Sequence, residues 1–278
     1  MPELPEVETT RRGIEPLLIR QKLTEVIVRD HRLRWPVKLP DELVGQTLGS
    51  VTRRGKYLLF HFDSGTLILH LGMSGSLRCL PKQSPLRKHD HVELLFEGGT
   101  SMRFNDPRRF GCVLWQSGDA ADHPLLTKLG VEPLEANFTA SYLKNCAGKR
   151  QVAVKSFLMN AQVVVGVGNI YANESLFLAR IRPTIAAGAV SLVGYQRLVD
   201  AVVMVLKDAI KAGGTTLQDF AQVDGNPGYF ANELHVYGRA GEACSVCGAA
   251  LVEIRLQART TVFCRKCQPS RGIGRTFA

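Results

Sequence analysis

No apolar run in the 278-residue chain approaches the ~20 residues that a membrane helix needs, which excludes a helical membrane span. The N-terminus lacks a basic stretch followed by an apolar one. It is acidic and proline-bearing, so no secretory signal is read there, and a cytoplasmic protein is expected. Acidic residues are the scarce charge: 25 Asp and Glu stand against 35 Lys and Arg, a formal net charge of +10. That imbalance points to a polyanionic partner, nucleic acid before membrane, because no basic amphipathic helix dominates. A generally basic surface would give the same total, but the cations cluster. Arg29, Arg32 and Arg34 form one group, Arg53, Arg54 and Lys56 another, and Arg108–Arg109 and Lys149–Arg150 are adjacent pairs. Hydrophobic residues make up 45% of the chain, enough for a sizeable core, and the length suits two domains or one large one.

The chain opens Met1-Pro2-Glu3-Leu4-Pro5-Glu6. If Met1 is trimmed, the Pro2 nitrogen becomes a secondary amine with a pKa near ~8, partly neutral at physiological pH. Such an amine is a nucleophile able to form an iminium with a sugar aldehyde carbon. Glu3 and Glu6 supply acid–base groups beside it. The plainer alternative is that Pro2 opens a helix and the glutamates decorate its first turn.

Pro5 to Leu18 reads as a helix with an apolar stripe of Val7, Ile14, Leu17 and Leu18, and Pro16 marks its last turn. From Lys22 to about Gln116 short β segments follow one another, separated by turns at 63–65, 72–75 and 97–99. This spacing predicts an antiparallel sandwich. Residues 117–150 read as an irregular connector. Helices are predicted over Val154–Gln162, Ile170–Leu178, Leu192–Ala212 and Leu217–Phe220, the third closed by Gly213-Gly214 and the fourth capped by Thr215-Thr216.

Of the seven cysteines, Cys79, Cys112 and Cys146 are scattered and read as reduced, buried or half-buried thiols. The other four form Cys244-x-x-Cys247 and Cys264-x-x-Cys267, the pattern of a tetrahedral zinc site around a β-hairpin over Ala250–Phe263. No open ligand position is suggested, so the zinc is structural. A redox pair or two disulfides are the alternatives.

Gly166-x-Gly168-Asn169 ahead of a helix offers N–H groups to an anion, or simply turns a helix corner. Asn105-Asp106-Pro107-Arg108-Arg109-Phe110 reads as a hairpin loop or as a cation-and-aromatic wedge for a base stack. Met73 in Gly72-Met73-Ser74-Gly75 is a second wedge candidate. Residues 224–228 form a loop flanked by Tyr229 and Phe230, either a plain surface loop or one that closes over a ligand.

Taken together these residues resemble the bacterial formamidopyrimidine-DNA glycosylases over nearly the whole chain. The likeness rests on the opening run, on Arg54-Gly55-Lys56-Tyr57, and on residues 70–75, 88–91, 106–111 and 166–171, together with the cysteine knuckles. The resemblance implies an α+β fold. An N-terminal helix and antiparallel β-sandwich form a catalytic domain over 1–130, followed by a linker over 131–150. A helix–two-turns–helix domain spans 151–237, a four-cysteine zinc β-hairpin 238–268, and 269–278 reads as a disordered tail. It implies a monomeric, nucleoid-associated enzyme that removes 8-oxoguanine and formamidopyrimidines from double-stranded DNA lying in a basic cleft, with β,δ-elimination.

By the same carry-over, Pro2 is the Schiff-base nucleophile and Glu3 the proton donor at the deoxyribose. Lys56 is the donor of β-elimination, also placed to hold a phosphate, and Arg259 is the donor of δ-elimination and also grips phosphate. Asn169 binds backbone phosphate. His89, Arg108 and Arg150 match DNA-contact positions, Arg150 standing where a lysine is usual. Met73, Arg108 and Phe110 fill the gap left by the extruded base, the loop Val223–Tyr229 covers that base, and Cys244, Cys247, Cys264 and Cys267 hold one zinc. Charge and zinc alone fit a non-catalytic zinc-dependent DNA-binding protein equally well, and a preference for oxidised pyrimidines is a third reading. If Met1 persists, the nucleophile assignment fails.

Overall fold

The computed structural model describes residues 1–214 and 234–270. The chain divides into two compact units. The first is Met1–Lys128 with the stretch from Ala209; the second is Leu129–Asp208 with the described residues from 234 on.

The first unit opens with helix α1 (Leu4–Leu18). Pro5 sits in its first turn, where a missing N–H costs nothing. Glu6 reaches back to the Glu3 N–H at 2.8 Å, the return arm of a capping box. Pro16 lies in the last turn. Leu4, Val7, Ile14 and Leu18 are fully buried, each worth about 1.5–3 kcal/mol. On the outer face Glu8 accepts from Arg11 and Arg12 and from Arg53 at 3.3 Å, tying the helix to the sheet beside it.

Eight strands follow: β1 (Leu23–Val28), β2 (Ser50–Arg54), β3 (Tyr57–Phe62), β4 (Gly65–His70), β5 (Ser76–Pro81), β6 (Asp90–Phe96), β7 (Thr100–Asn105) and β8 (Cys112–Ser117). They form two antiparallel sheets, β1-β6-β7-β5 and β2-β3-β4-β8. Val7, Ile14 and Leu18 of α1 share one core with Leu58 and Leu69 of one sheet and Leu94 and Phe104 of the other. The sandwich and its helix are therefore the fold that the alternating strands predict.

In the second unit, α2 (Ala140–Ala147), α3 (Val154–Leu158), α4 (Asn169–Leu178) and α5 (Leu192–Lys211, its end from Ala209 counted with the first unit) precede a hairpin of β9 (Val252–Leu256) and β10 (Arg259–Phe263). Two predictions need correction. A helix stands inside the expected connector: Thr139 caps α2 through the Tyr142 N–H at 3.1 Å, and Gly148 ends it. Helix α3 stops at Leu158 rather than Gln162, because the Asn160 side chain accepts from the Gln162 N–H at 3.0 Å and turns the chain. The predicted helix Leu217–Phe220, its cap and the loop Val223–Tyr229 lie outside the described residues, as does the tail from 271. Among the described residues no helix is long and apolar enough to cross a membrane.

Candidate nucleic-acid interface and zinc centre

Pro2 is buried at the foot of α1, and with Met1 ahead of it the nitrogen is an amide. Glu3 and Glu6 are buried as well, at 1% and 2% exposure. Lys56 occupies the two-residue turn that joins β2 to β3, fixed by the pairing of Arg54 with Tyr57. Gly55 supplies the positive φ of 58° that this turn demands at its first position. Arg53 holds the turn from below by donating to the Gly55 carbonyl at 2.8 Å. Lys56 acts on His70: burial first, then the charges of Lys56 and Arg34, push the imidazole down to about 4. His70 is therefore neutral at pH 7, and its Nδ1 accepts the Gly72 N–H at 2.9 Å.

The wedge candidates sit on two turns of this unit. Phe110 is 46% exposed, whereas every other phenylalanine among the described residues is buried. Arg108 is exposed and lies over the Phe110 ring, 5.2 Å from its centroid. Its neighbour Arg109 points elsewhere, pairing with Asp30 at 2.6 Å. Met73 is half-buried on a turn whose Gly72 has φ 66°. A Cβ on Gly72 would collide with the Gly111 nitrogen and the Phe110 carbonyl carbon, so the two turns touch through their backbones. Behind both lies Asp106, fully buried, which accepts from Ser74 Oγ at 3.2 Å and from the Gly111 N–H at 2.8 Å. His89 is half-buried at φ 75°, and its carbonyl accepts the Asp106 N–H at 3.1 Å.

In the second unit Asn169 is the first residue of α4, after Gly168 at the N-cap. Its side-chain Oδ1 is buried without a hydrogen-bond partner among the described residues. Arg150 and Arg259, far apart in sequence, line one cavity of ≈ 390 Å³ together with Lys155 and Asn160. Both arginines are exposed. Lys155 is buried and donates to the Thr260 carbonyl at 2.8 Å and to Thr261 Oγ1 at 2.7 Å, fixing β10 directly beside Arg259. Asn173 adds a second clamp, accepting the Val262 N–H at 3.0 Å. Glu174, buried on the same helix, accepts three backbone N–H groups, from His235, Val236 and Tyr237, at 2.8, 3.0 and 2.8 Å.

The hairpin also carries the four-cysteine cluster. The sulfur atoms of Cys244, Cys247, Cys264 and Cys267 all lie within 4.8 Å of one another, with Cys244–Cys267 at 3.9 Å and Cys247–Cys264 at 3.5 Å. Four thiolates around zinc at about 2.3 Å stand about 3.8 Å apart, so the set fits one tetrahedral zinc ion. Cys247 is drawn down to about 7, chiefly by the Ala249 N–H, whereas burial raises Cys264 and Cys267. Cys79, Cys112 and Cys146 stand apart, buried or half-buried thiols as read from sequence, with burial pushing Cys79 and Cys112 up to about 12.

The holding residues Asp106, His70, Lys155, Asn173 and Glu174 escape sequence reading. Their partners are distant in the chain, and the only signal is position inside or beside a recognised run.

Three family domains match in order: the formamidopyrimidine-DNA glycosylase N-terminal domain over residues 1–113, the formamidopyrimidine-DNA glycosylase H2TH domain over 129–221, and the zinc finger found in FPG and IleRS over 241–269. The chain is 55% identical to the formamidopyrimidine-DNA glycosylase of Shewanella halifaxensis over 269 residues, 96% of this chain and 99% of that one. It is also 55% identical to that of Thioalkalivibrio sulfidiphilus over 270 residues, 96% of this chain and all of that one. The crystal structure of MutM (FPG) from Thermus thermophilus superposes with a TM-score of 0.87 at 38% identity, covering 98% of this chain and 100% of that one. Lactococcus lactis Fpg, solved with abasic-site DNA, gives a TM-score of 0.90 at 35% identity over 96% of this chain and 100% of that one. With domains, length and fold all in agreement, the chain belongs to the formamidopyrimidine-DNA glycosylase family of zinc-finger DNA-repair enzymes.

Proposed function

We propose that the chain, once Met1 is removed, is a bifunctional glycosylase and abasic-site lyase. It acts as a cytoplasmic monomer on oxidised purines, 8-oxoguanine and formamidopyrimidines, in duplex DNA. The observation that carries this reading is Pro2-Glu3 at the capped start of α1, in a unit that also holds the Lys56 turn and the exposed Arg108–Phe110 tip. A MutM solved on carbocyclic 8-oxo-G DNA and the Fpg solved on abasic-site DNA add support by likeness.

The target nucleotide leaves the stack at a cost of a few kcal/mol, least for a damaged base. Met73 and Phe110 enter the vacated stack and Arg108 faces the orphaned partner base. His89, Arg150 and Asn169 grip the DNA backbone. The Pro2 nitrogen attacks C1′, the bond from C1′ to the base breaks, and the base departs with a proton. Glu3 protonates the deoxyribose, whose ring opens as the iminium forms. Loss of a proton from C2′ then expels the 3′ phosphate, with Lys56 as proton donor. A second elimination expels the 5′ phosphate, with Arg259 as donor, and water frees Pro2. The zinc site keeps the hairpin folded that presents Arg259.

With Met1 ahead of it the Pro2 nitrogen is a tertiary amide, so Met1 must leave before an amine can reach a sugar. The test is intact mass before and after borohydride reduction on a duplex containing 8-oxoguanine. The expected result is a protein lacking Met1 that gains one covalent DNA adduct, with Pro2→Gly lowering trapping by at least about a hundredfold. Active protein that retains Met1, or that forms no adduct, would sink the reading.

A further inference from the structure

We propose that Asp106 is a positioning residue that fuses Met73, Arg108 and Phe110 into one rigid wedge and thereby sets the rate of lesion extrusion. The inference rests on the wedge reading of those three residues.

Asp106 is fully buried and has no ion pair among the described residues. A buried carboxylate without a countercharge is costly unless neutral donors hold it. Here each polar group of the residue holds a different segment. Oδ1 takes the Ser74 hydroxyl, next to Met73, and Oδ2 takes the Gly111 N–H, next to Phe110. The backbone N–H donates to the His89 carbonyl. The backbone carbonyl meets His91 Nε2 at 2.9 Å and accepts the Arg109 N–H at 3.3 Å, closing the turn that carries Arg108. One residue thus gathers the Met73 turn, the 108–110 turn and the His89 segment.

Contact at Gly72 completes the device. That glycine leaves no room for a side chain against Phe110 and Gly111, so neither turn can move toward the other, and Asp106 holds both in place. Apolar side chains that part a base step must resist the restoring force of stacking. Wedges on two independent turns would yield to it; wedges fastened to one buried carboxylate do not. Asp106 touches no DNA in this scheme, since it is buried. Its effect reaches the reaction only through the wedge.

In Asp106→Asn, the amide oxygen still accepts from Ser74, but the new NH2 faces the Gly111 N–H donor to donor. Ser74→Ala severs only the Met73 arm. The experiment is stopped-flow fluorescence of 2-aminopurine placed beside 8-oxoguanine in a duplex, run with wild type, D106N, S74A and F110A. Strand cleavage at a preformed abasic site is measured alongside.

Losing one buried charge-assisted hydrogen bond should slow the fluorescence rise about tenfold in D106N, and about threefold in S74A. Loss on the intact lesion should exceed loss at the abasic site, which has no base to unstack, by about fivefold or more. A wild-type fluorescence rise in D106N while F110A slows it would overturn the proposal, as would equal losses on both substrates. Should D106N fail to fold, S74A alone decides by the same criterion. If F110A leaves the signal unchanged, the wedge reading itself falls, a different result from failure of the Asp106 link.

Discussion

His70 links a single imidazole to both the Lys56 turn and the Met73 turn. Its ring is kept neutral by burial and by the charges of Lys56 and Arg34, which hold it at about 4 against 6.5 when unfolded. Only the neutral ring can accept from the Gly72 N–H. Because the unfolded chain binds this proton more readily, stability rises with pH across the window from about 4 to 6.5. The contribution is complete above pH 6.5 and is lost on acidification, up to about 3 kcal/mol. Urea unfolding between pH 4 and 7 checks this, and His70→Asn should flatten the slope in that window. Below it, paired carboxylates take over: burial opposes but Ser101, Arg103 and Arg29 hold Glu93 down to about 2. Arg108 and Phe110 are exposed and Met73 is half-buried, and the sequence offers all three as wedge candidates because a recognised run displays them. His70 and Asp106 sit in the same runs, yet their work depends on partners that no run spells out: Ser74 lies 32 residues from Asp106.

At the scale of elements, legibility follows length and turn chemistry. Helices α1 and α5 are long enough for their apolar faces to show in the sequence, and α4, buried along Ile170–Phe177, is announced by the glycine turn before it. Helix α2 has eight residues, barely two turns, and its stretch read as connector. The zinc hairpin was legible from its cysteines, but its turn was not, because Gln257 and Ala258 adopt φ of 46° and 60° without a glycine to announce it. What seats the hairpin is equally hidden. Lys155 and Asn173 reach it from α3 and α4, and Glu174 secures the segment before it with three N–H bonds. Glu174→Gln places an NH2 against one or two of those donors and should destabilise the second unit by about 2–4 kcal/mol. A lowered urea midpoint with an unchanged m-value is the expected measurement.

For the whole molecule, the order of the domains was legible and the convergence of Arg150 with Arg259 on one cavity was not. If Lys56, Arg150 and Arg259 each neutralise one phosphate, log K against log salt should fall with a slope of about −2.7. Chelating zinc unfolds the hairpin and removes Arg259, so the slope should weaken by about 0.9 while the sandwich keeps its thermal transition. Binding isotherms at several salt concentrations, with and without chelator, check both.

The Glu174 cluster has a further consequence for the growing chain. Its first donor lies 61 residues downstream, and the Thr260 carbonyl lies 105 beyond Lys155. At about 5–20 residues per second of translation, the Glu174 carboxylate waits several seconds for its amides. Until they emerge from the ribosome it must stay hydrated, which keeps α4 from packing. The sandwich can close early on the nascent polypeptide, whereas the second half can settle only once synthesis is almost finished.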